Sequence, residues 1–211
     1  MNLPSPRRTI ADAPLAERLA RLPRKTREAL LAGFDDEALK LLLYDGNFWA
    51  RPSQLPPAGP WLCWLVLAGR GFGKTRTGAE WIRRNVEGPT PLSAPPSGAR
   101  RIALIAQTFA DARDVMLEGE SGLMPSSPRA FRPSYEPSRR RVKWPSGAAA
   151  YLYSSEEPDQ LRGPQHHLAW ADELAKWRNA EAAWANLMLG LRLGGRPRVL
   201  ATTTPRPSAF L

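Results

Sequence analysis

The sequence of 211 residues contains one cysteine, two histidines and no long apolar run. A single cysteine, Cys63, excludes an internal disulfide and a cysteine-ligated metal site. His166 and His167 are adjacent, and neighbouring side chains of a strand point to opposite faces, so they cannot form a shared ligand pair. The longest apolar run, residues 61–68, has eight residues, whereas a membrane-spanning helix needs about 20. We therefore expect neither a disulfide scaffold nor a membrane span.

Acidic side chains are also scarce. The chain has 30 Lys and Arg against 20 Asp and Glu, which gives a formal net charge of +10. An excess of this size predicts a polyanionic partner, with nucleic acid as the first candidate. The N-terminus lacks the apolar segment of a secretory signal, which predicts a cytoplasmic protein. Because Cys63 lies within the apolar run, we expect it to be a buried core thiol.

Apolar periodicity and turn residues predict short helices followed by alternating strands and helices. Two or three short helices are predicted within residues 14–43. The later predicted elements are strands at 61–68, 101–106, 167–171 and 198–202, a hairpin or meander within 134–153, and helices at 74–87, 109–117 and 181–191, with a Pro-rich loop at 88–98. This alternation predicts an α/β fold with a mostly parallel central sheet flanked by helices. We divide the chain into a helical prefix, residues 1–45, and a core, residues 46–211.

The most specific motif is a glycine-rich turn that directly follows the apolar run. Its predicted nucleotide-contacting residues are Gly69, Arg70, Gly71, Phe72, Gly73, Lys74 and Thr75. The three glycines allow backbone N–H groups to curl around phosphate oxygens, and the next helix offers its positive end to an anion. In such a loop the lysine reaches the β- and γ-phosphates and the threonine hydroxyl holds Mg²⁺. Ala68 replaces the first glycine of the usual pattern, and an ordinary strand-to-helix turn is the alternative interpretation.

A pair of acids, Asp172 and Glu173, ends a later apolar strand. Since ligands of open α/β sheets bind outside the carboxyl ends of the strands, we expect this pair to converge on the glycine-rich turn. Asp172 would then hold Mg²⁺, and Glu173 would orient and deprotonate the attacking water. The alternative is a solvated turn.

Three hydroxyl residues, Thr202, Thr203 and Thr204, end the last predicted strand. Beside a γ-phosphate they could sense hydrolysis and couple it to motion. The alternative is a threonine-rich strand end selected for β propensity.

These motifs, in this order, resemble the ATPase domain of large terminase subunits, the motors that package double-stranded DNA into phage capsids. The segments that carry the resemblance are residues 69–75, 172–175 and 202–205, and it extends over roughly residues 45–207. The resemblance implies a P-loop NTPase fold of the additional-strand, catalytic-glutamate type, with ATP and Mg²⁺ as cofactors. It implies ATP hydrolysis coupled to DNA translocation. Tailed phages and the related gene transfer agents fit the motifs equally, and the Ala- and Arg-rich composition slightly favours the latter.

The resemblance also implies roles for residues outside these three motifs. Gln54 is similar to the family's adenine-contacting glutamine, with a plain loop glutamine as the alternative. Arg70 would act on the γ-phosphate of its own subunit. Arg162 is a candidate arginine finger donated to a neighbouring subunit, or else a surface charge. Trp49, close to Gln54 in sequence, is expected in the core, with stacking near the adenine as the alternative.

The partners implied by the resemblance are double-stranded DNA, a portal and a small terminase subunit. Active motors of this kind imply a ring homo-oligomer in the host cytoplasm, and the isolated domain could be a monomer. The family's C-terminal nuclease is built on clustered acids, and beyond Glu173 the chain has only Glu181, so no nuclease is expected within it. Two rival functions remain, a superfamily-2-like translocase or helicase and a nucleotide-gated binding module that does not hydrolyse ATP.

Overall fold

The computed structural model describes residues 10–87 and 99–207, which belong to two compact units. The first unit is Met1–Pro56 and the second is Pro57–Leu211. The division follows Pro56, C-terminal to the boundary that we placed after residue 45. The Pro-rich loop predicted at residues 88–98 lies outside the described residues.

The first unit is helical. Its helices are α1 (Leu15–Ala20), α2 (Arg24–Leu31), α3 (Asp36–Tyr44) and α4 (Gly46–Trp49), followed by a 3₁₀ turn at Pro52–Gln54. Asp35 caps α3, because its side chain accepts a hydrogen bond of 2.7 Å from the Ala38 N–H. The helices predicted within residues 14–43 are confirmed. The core position expected for Trp49 is wrong, since the residue is 48% exposed and its indole N–H donates to the Leu42 carbonyl.

The second unit is built on one seven-stranded sheet. Its strands are β1 (Cys63–Leu67), β2 (Arg101–Ala106), β3 (Ser134–Glu136), β4 (Arg141–Lys143), β5 (Ala149–Ser154), β6 (Leu168–Asp172) and β7 (Arg198–Thr203). The strand order is β1-β7-β6-β2-β5-β4-β3. The first five strands run parallel, β4 pairs antiparallel with β5, and β3 pairs antiparallel with β4. Strand β7 lies between β1 and β6 as an additional strand. The predicted α/β class and mostly parallel sheet are confirmed.

Helices cover the two faces of this sheet. They are α5 (Lys74–Glu87), α6 (Phe109–Asp111), α7 (Leu123–Ser126) and α8 (Ala180–Gly190). Helix α6 continues into a π-helical turn, Ala112–Leu117, where we predicted a regular helix. One apolar layer lies between α5 and the sheet, and a second lies between α8 and the opposite face. None of the helices in the described parts of the chain has the length and apolarity required to cross a bilayer.

Strand β1 forms one edge of the sheet and is covered on one face only. Trp64 and Val66 are buried against the α5 layer, whereas Cys63, Leu65 and Leu67 are exposed. The expectation of a buried core thiol at Cys63 is therefore wrong. The physical reason is that a continuous apolar run predicts burial on both faces, whereas an edge strand needs only one covered face.

Helix α5 approaches β6 closely at Gly78. A Cβ at this position would lie 2.1 Å from Cε2 of the Trp170 ring. Gly-to-Ala exchange in a helix normally stabilises by about 1 kcal/mol, but overpacking of a core costs about 1–3 kcal/mol. We predict that Gly78→Ala lowers the free energy of unfolding in a urea titration.

The matched control is Gly195→Ala, because nothing lies within 4 Å of a Cβ built there. It should leave the unfolding midpoint close to that of the parent chain. Equal midpoints for Gly78→Ala and Gly195→Ala would show that the helix can move away from Trp170 at no cost.

Candidate nucleotide site

The motifs that the sequence singled out meet at the carboxyl edge of the sheet. Strands β1, β7 and β6 are neighbours in the sheet order, and all three run parallel. Strand β1 leads into the glycine-rich turn, β6 ends at Asp172 and β7 ends at Thr203. The predicted convergence on one edge is therefore observed.

The glycine-rich turn has the backbone conformation that its sequence suggests. Gly71 and Gly73 have φ angles of 77° and 87°, in the left-handed region that favours glycine. Ala68 is accommodated in place of a glycine because it does not have a positive φ, and its N–H still donates to the Thr203 carbonyl. Arg70 is exposed on the turn, while Phe72 packs against the core.

Lys74 is the first residue of α5, Thr75 is the second, and the Lys74 side chain is buried, with 8% exposure of the residue. Its ammonium donates hydrogen bonds of 2.9 Å to Thr204 Oγ1, 3.0 Å to the Ala68 carbonyl and 3.3 Å to the Gly69 carbonyl. The same nitrogen lies 3.5 Å from Glu173 Oε1. Lys74 therefore connects the glycine-rich turn with the ends of β7 and β6.

Glu173 has a left-handed backbone, with φ 49° and ψ 47°. Non-glycine residues in this region are strained, and such strain concentrates at functional sites. The Thr204 hydroxyl donates to Oε1 at 2.9 Å, and the Thr204 N–H donates to Oε2 at 3.2 Å. Partial burial raises the pKa of Glu173, but these hydrogen bonds and the charges of Lys176 and Lys74 outweigh it, and the net pKa is lowered. The carboxylate is therefore ionised at neutral pH.

Asp172 is 6% exposed and accepts a hydrogen bond of 2.6 Å from the Thr202 hydroxyl. Burial raises the pKa of Asp172 to about 6, and the charge of Glu173 acts in the same direction, against the Thr202 hydrogen bond and the charge of Lys74. The two neighbouring carboxylates thus have pKa values shifted in opposite directions. Such a difference allows adjacent acids to serve different tasks.

The three threonines that we predicted as one coupling group make different contacts. Thr202 faces Asp172, its register partner on β6. Thr203 accepts a hydrogen bond of 3.0 Å from the Ala175 N–H. Thr204 alone touches both Lys74 and Glu173. The sequence could not separate these roles, since they depend on the register between β6 and β7.

The remaining predicted residues lie apart from this cluster in sequence. Gln54 belongs to the first unit, where its Oε1 accepts a hydrogen bond of 3.0 Å from the Arg51 N–H. Arg162 is exposed and follows the 3₁₀ turn Pro158–Leu161.

Trp170 is a site residue that we did not predict. Its indole N–H donates a hydrogen bond of 3.0 Å to the Thr202 hydroxyl. A signal was available, because residues two apart on a strand share a face, which places Trp170 on the side of Asp172. The partner on β7 was not predictable, since nothing local in the sequence fixes the pairing of distant strands.

The additional strand, the glycine-rich turn and the Asp172–Glu173 pair define a P-loop NTPase. Over residues 65–211 the chain matches a family model described as terminase large subunit, T4likevirus-type, N-terminal. The match takes in more than half of the chain, which therefore belongs to this family.

Three solved structures to which this chain is similar come from phage large terminases. The ATPase domain of the Thermus phage P74-26 large terminase is 18% identical, with 83% of this chain and 71% of that one covered, at a TM-score of 0.52. A large terminase from a thermophilic bacteriophage, solved in complex with ADP, is 16% identical, with 82% and 39% covered, at a TM-score of 0.52. The HK97 bacteriophage large terminase is 15% identical, with 81% and 33% covered, at a TM-score of 0.47. Comparison with curated protein sequences gave no significant match.

Proposed function

We propose that this chain is an ATP-hydrolysing motor domain that drives double-stranded DNA into a capsid. The observation that carries the proposal is the contact of Lys74 and Thr204 with Glu173 beside the glycine-rich turn. A phosphate-binding lysine, a hydroxyl and a candidate base within hydrogen-bonding reach are the groups that phosphoryl transfer to water requires. The large terminase solved in complex with ADP supports a nucleotide as the ligand. The family match favours this function over that of a superfamily-2-like helicase.

The residues of the site would have the following roles in nucleotide binding and hydrolysis. The N–H groups of residues 69–75 would bind the phosphates, and the Lys74 ammonium would exchange its contacts with Thr204 and Glu173 for the β- and γ-phosphates. Glu173, ionised at neutral pH, would accept a proton from the attacking water. Arg70 or Arg162 would stabilise charge on the γ-phosphate, and Gln54 would contact the adenine.

Mg²⁺ would be held by the Thr75 hydroxyl and the Asp172 carboxylate, and it would neutralise charge on the phosphates. The donors fit this ion, because Mg²⁺ prefers oxygen ligands and is usually bound by one or two carboxylates together with substrate phosphates. Among the described residues there is no group of three or more His, Cys, Asp or Glu that could hold a metal by itself. A one-carboxylate Mg²⁺ site does not require such a group.

Thr204 would report the state of the nucleotide. Its hydroxyl accepts from Lys74 and donates to Glu173, so a phosphate that draws Lys74 away changes what the hydroxyl can bind. Thr204 is therefore the one of the three threonines for which we propose the coupling role. We test the activity itself by phosphate release from ATP with Mg²⁺, with and without double-stranded DNA, against Lys74→Ala as the inactive reference.

The DNA partner is supported by the charge distribution of the second unit. Five arginines lie at the starts of β2 and β7 and in the segment before β7, and we call them the basic edge: Arg100, Arg101, Arg192, Arg196 and Arg198. Within residues 10–87 and 99–207 none of the five forms an ion pair. Because β2 and β7 are six-residue strands, this edge lies roughly 20 Å from the carboxyl edge that holds the nucleotide motifs.

Contacts at His167 join the two halves of the basic edge. The Arg101 N–H donates a hydrogen bond of 3.2 Å to His167 Nδ1, and the Arg198 N–H donates a hydrogen bond of 3.2 Å to the His167 carbonyl. Burial and the nearby charge of Arg196 lower the pKa of Arg198. The positive charges of Arg196 and Arg198 repel one another, and a polyanion would relieve this repulsion.

We predict that the chain binds double-stranded DNA without sequence preference and that binding weakens steeply with salt, through release of counterions from phosphates. Arg100→Glu combined with Arg196→Glu should reduce affinity and make the slope of log K against log salt shallower by about 2. The measurement is fluorescence anisotropy with two unrelated duplexes.

The matched control is Arg18→Glu combined with Lys25→Glu, two exposed residues of the first unit that give the same change in net charge. This variant should keep most of the affinity. Equal losses in the two double variants would assign binding to the net charge of +10 and not to the basic edge. Salt-insensitive or sequence-selective binding would contradict the phosphate mechanism.

The larger assembly is proposed from the family. A portal and a small terminase subunit would be protein partners, and the motor would act as a ring of identical subunits, with the isolated domain a monomer. The chain covers 39% of the large terminase solved with ADP, so the activity of a whole terminase exceeds what this chain alone would supply. Nuclease activity is not proposed for this chain.

A further inference from the structure

A chain of buried hydrogen bonds ends on the Asp172 carboxylate. The Trp170 indole N–H donates to Thr202 Oγ1 at 3.0 Å, and Thr202 Oγ1 donates to Asp172 Oδ1 at 2.6 Å. Trp170 and Thr202 are fully buried. Water is therefore excluded from the first two members, and the hydrogen bonds are strengthened by their apolar surroundings.

The direction of each hydrogen bond follows from the donor inventory. An indole N–H can only donate, so Thr202 must use a lone pair to accept it. The single hydroxyl proton is then left for another acceptor, and Asp172 Oδ1 at 2.6 Å is closer than the Ala171 carbonyl at 3.4 Å. Trp170 thus orients the Thr202 hydroxyl toward the carboxylate.

The indole is itself positioned by the helix that follows the glycine-rich turn. Its ring lies against Gly78 so closely that a Cβ there would be 2.1 Å from the ring. Helix α5, which carries Gly78, begins with Lys74 and Thr75. The position of the Asp172 carboxylate is therefore tied by direct contacts to the helix that carries the other candidate Mg²⁺ ligand.

We propose that Trp170 and Thr202 are positioning residues for the metal-binding carboxylate. Thr202 occupies Oδ1, whereas Oδ2 accepts no hydrogen bond from any residue that the structure describes. Fixing one oxygen sets the rotation of the carboxylate and leaves the other for Mg²⁺ with its nucleotide. The inference rests on the proposed function, in which Asp172 holds Mg²⁺. Partners that orient a metal ligand typically change metal affinity by about 10–100-fold when they are removed.

The test is the binding of a fluorescent ADP analogue to the whole chain, titrated with Mg²⁺ and in EDTA. Thr202→Val keeps the side-chain shape and removes the hydroxyl. We expect the Mg²⁺ concentration for half-maximal binding to rise about 10-fold or more, with affinity in EDTA unchanged. Thr202→Ser, which restores a hydroxyl, should recover most of the Mg²⁺ dependence. Trp170→Phe removes the indole donor together with part of the ring, and it should raise the half-maximal Mg²⁺ concentration by less, because the free Thr202 hydroxyl can still reach Asp172.

Controls separate this inference from the assignment of Asp172. Ser127→Ala removes another buried hydroxyl, which donates to the Leu123 carbonyl, and reports general destabilisation. Loss of Mg²⁺ dependence in Asp172→Asn together with normal dependence in Thr202→Val and Trp170→Phe would overturn the positioning role and leave the proposed function intact. Normal Mg²⁺ dependence in Asp172→Asn would overturn both.

Discussion

Glu173→Gln is expected to bind ATP with Mg²⁺ about as tightly as the parent chain and to lose about 10²–10⁴-fold in turnover. Gln has the size of Glu and keeps one of the two oxygens that accept hydrogen bonds from Thr204. It lacks the carboxylate that would take the proton of the attacking water. Binding is measured by titration with a fluorescent ATP analogue, and turnover by phosphate release at high protein concentration.

Lys74→Ala should instead weaken both binding and turnover, because the ammonium that now donates to Thr204 and two loop carbonyls is the group available to the phosphates. Lys176→Ala is the matched control. Its ammonium lies 3.9 Å from Glu173 Oε2 but outside the glycine-rich turn. Its removal therefore changes the charge beside Glu173 and leaves the phosphate-binding turn unchanged. Equal losses of binding in Glu173→Gln and Lys74→Ala would contradict the separate roles. A parent chain that binds ATP and releases no phosphate would be the nucleotide-gated module.

The parts of the site that the sequence predicted are those fixed by local backbone chemistry. Gly71 and Gly73 adopt positive φ values that glycine alone favours, so the turn could be recognised from its composition. Asp172 and Glu173 follow an apolar strand, and parallel strands place their carboxyl ends at one edge. Convergence of the two motifs therefore follows from the alternation of strands and helices.

The parts that could not be predicted depend on contacts between distant segments. Whether Cys63 is buried depends on which strand forms the edge of the sheet and how far the α8 layer extends. The separate contacts of Thr202 and Thr203 depend on a one-residue register between β6 and β7. The close approach of Gly78 to Trp170 depends on the packing of a helix on a sheet. Such features are set by the whole fold and leave no local signal.

Arg162→Ala is expected to lower turnover by about 10³-fold or more in assemblies of the motor, because arginine fingers contribute rate enhancements of this size. The Arg162 side chain is exposed and makes no hydrogen bond or ion pair with any residue that the structure describes. An exposed guanidinium without a partner is available to a neighbouring subunit. If the isolated domain is a monomer, it should hydrolyse ATP slowly, and Arg162→Ala should change that slow rate little.

The decisive measurement is complementation between two defective variants under conditions that force assembly. The Arg162→Ala variant has unchanged Lys74, Asp172 and Glu173 but supplies no arginine to the neighbouring subunit. Glu173→Gln lacks the base but still offers Arg162. Each variant alone should be nearly inactive. A mixed ring, however, contains interfaces at which one subunit supplies Glu173 and its neighbour supplies Arg162. Mixed assemblies should therefore recover part of the parent turnover.

The size of the recovery follows from the number of competent interfaces. In a random equimolar ring, an interface is competent when an Arg162→Ala subunit supplies the site and a Glu173→Gln subunit supplies the arginine, so recovery should peak near equal proportions. An arginine that acts on its own subunit's γ-phosphate cannot be complemented, because no subunit of the mixture contains both groups. If labelled subunits exchange and mixing still restores no turnover, Arg162 acts within its own subunit or has a structural role. Arg70, exposed on the glycine-rich turn, would then be the group that stabilises the transition state.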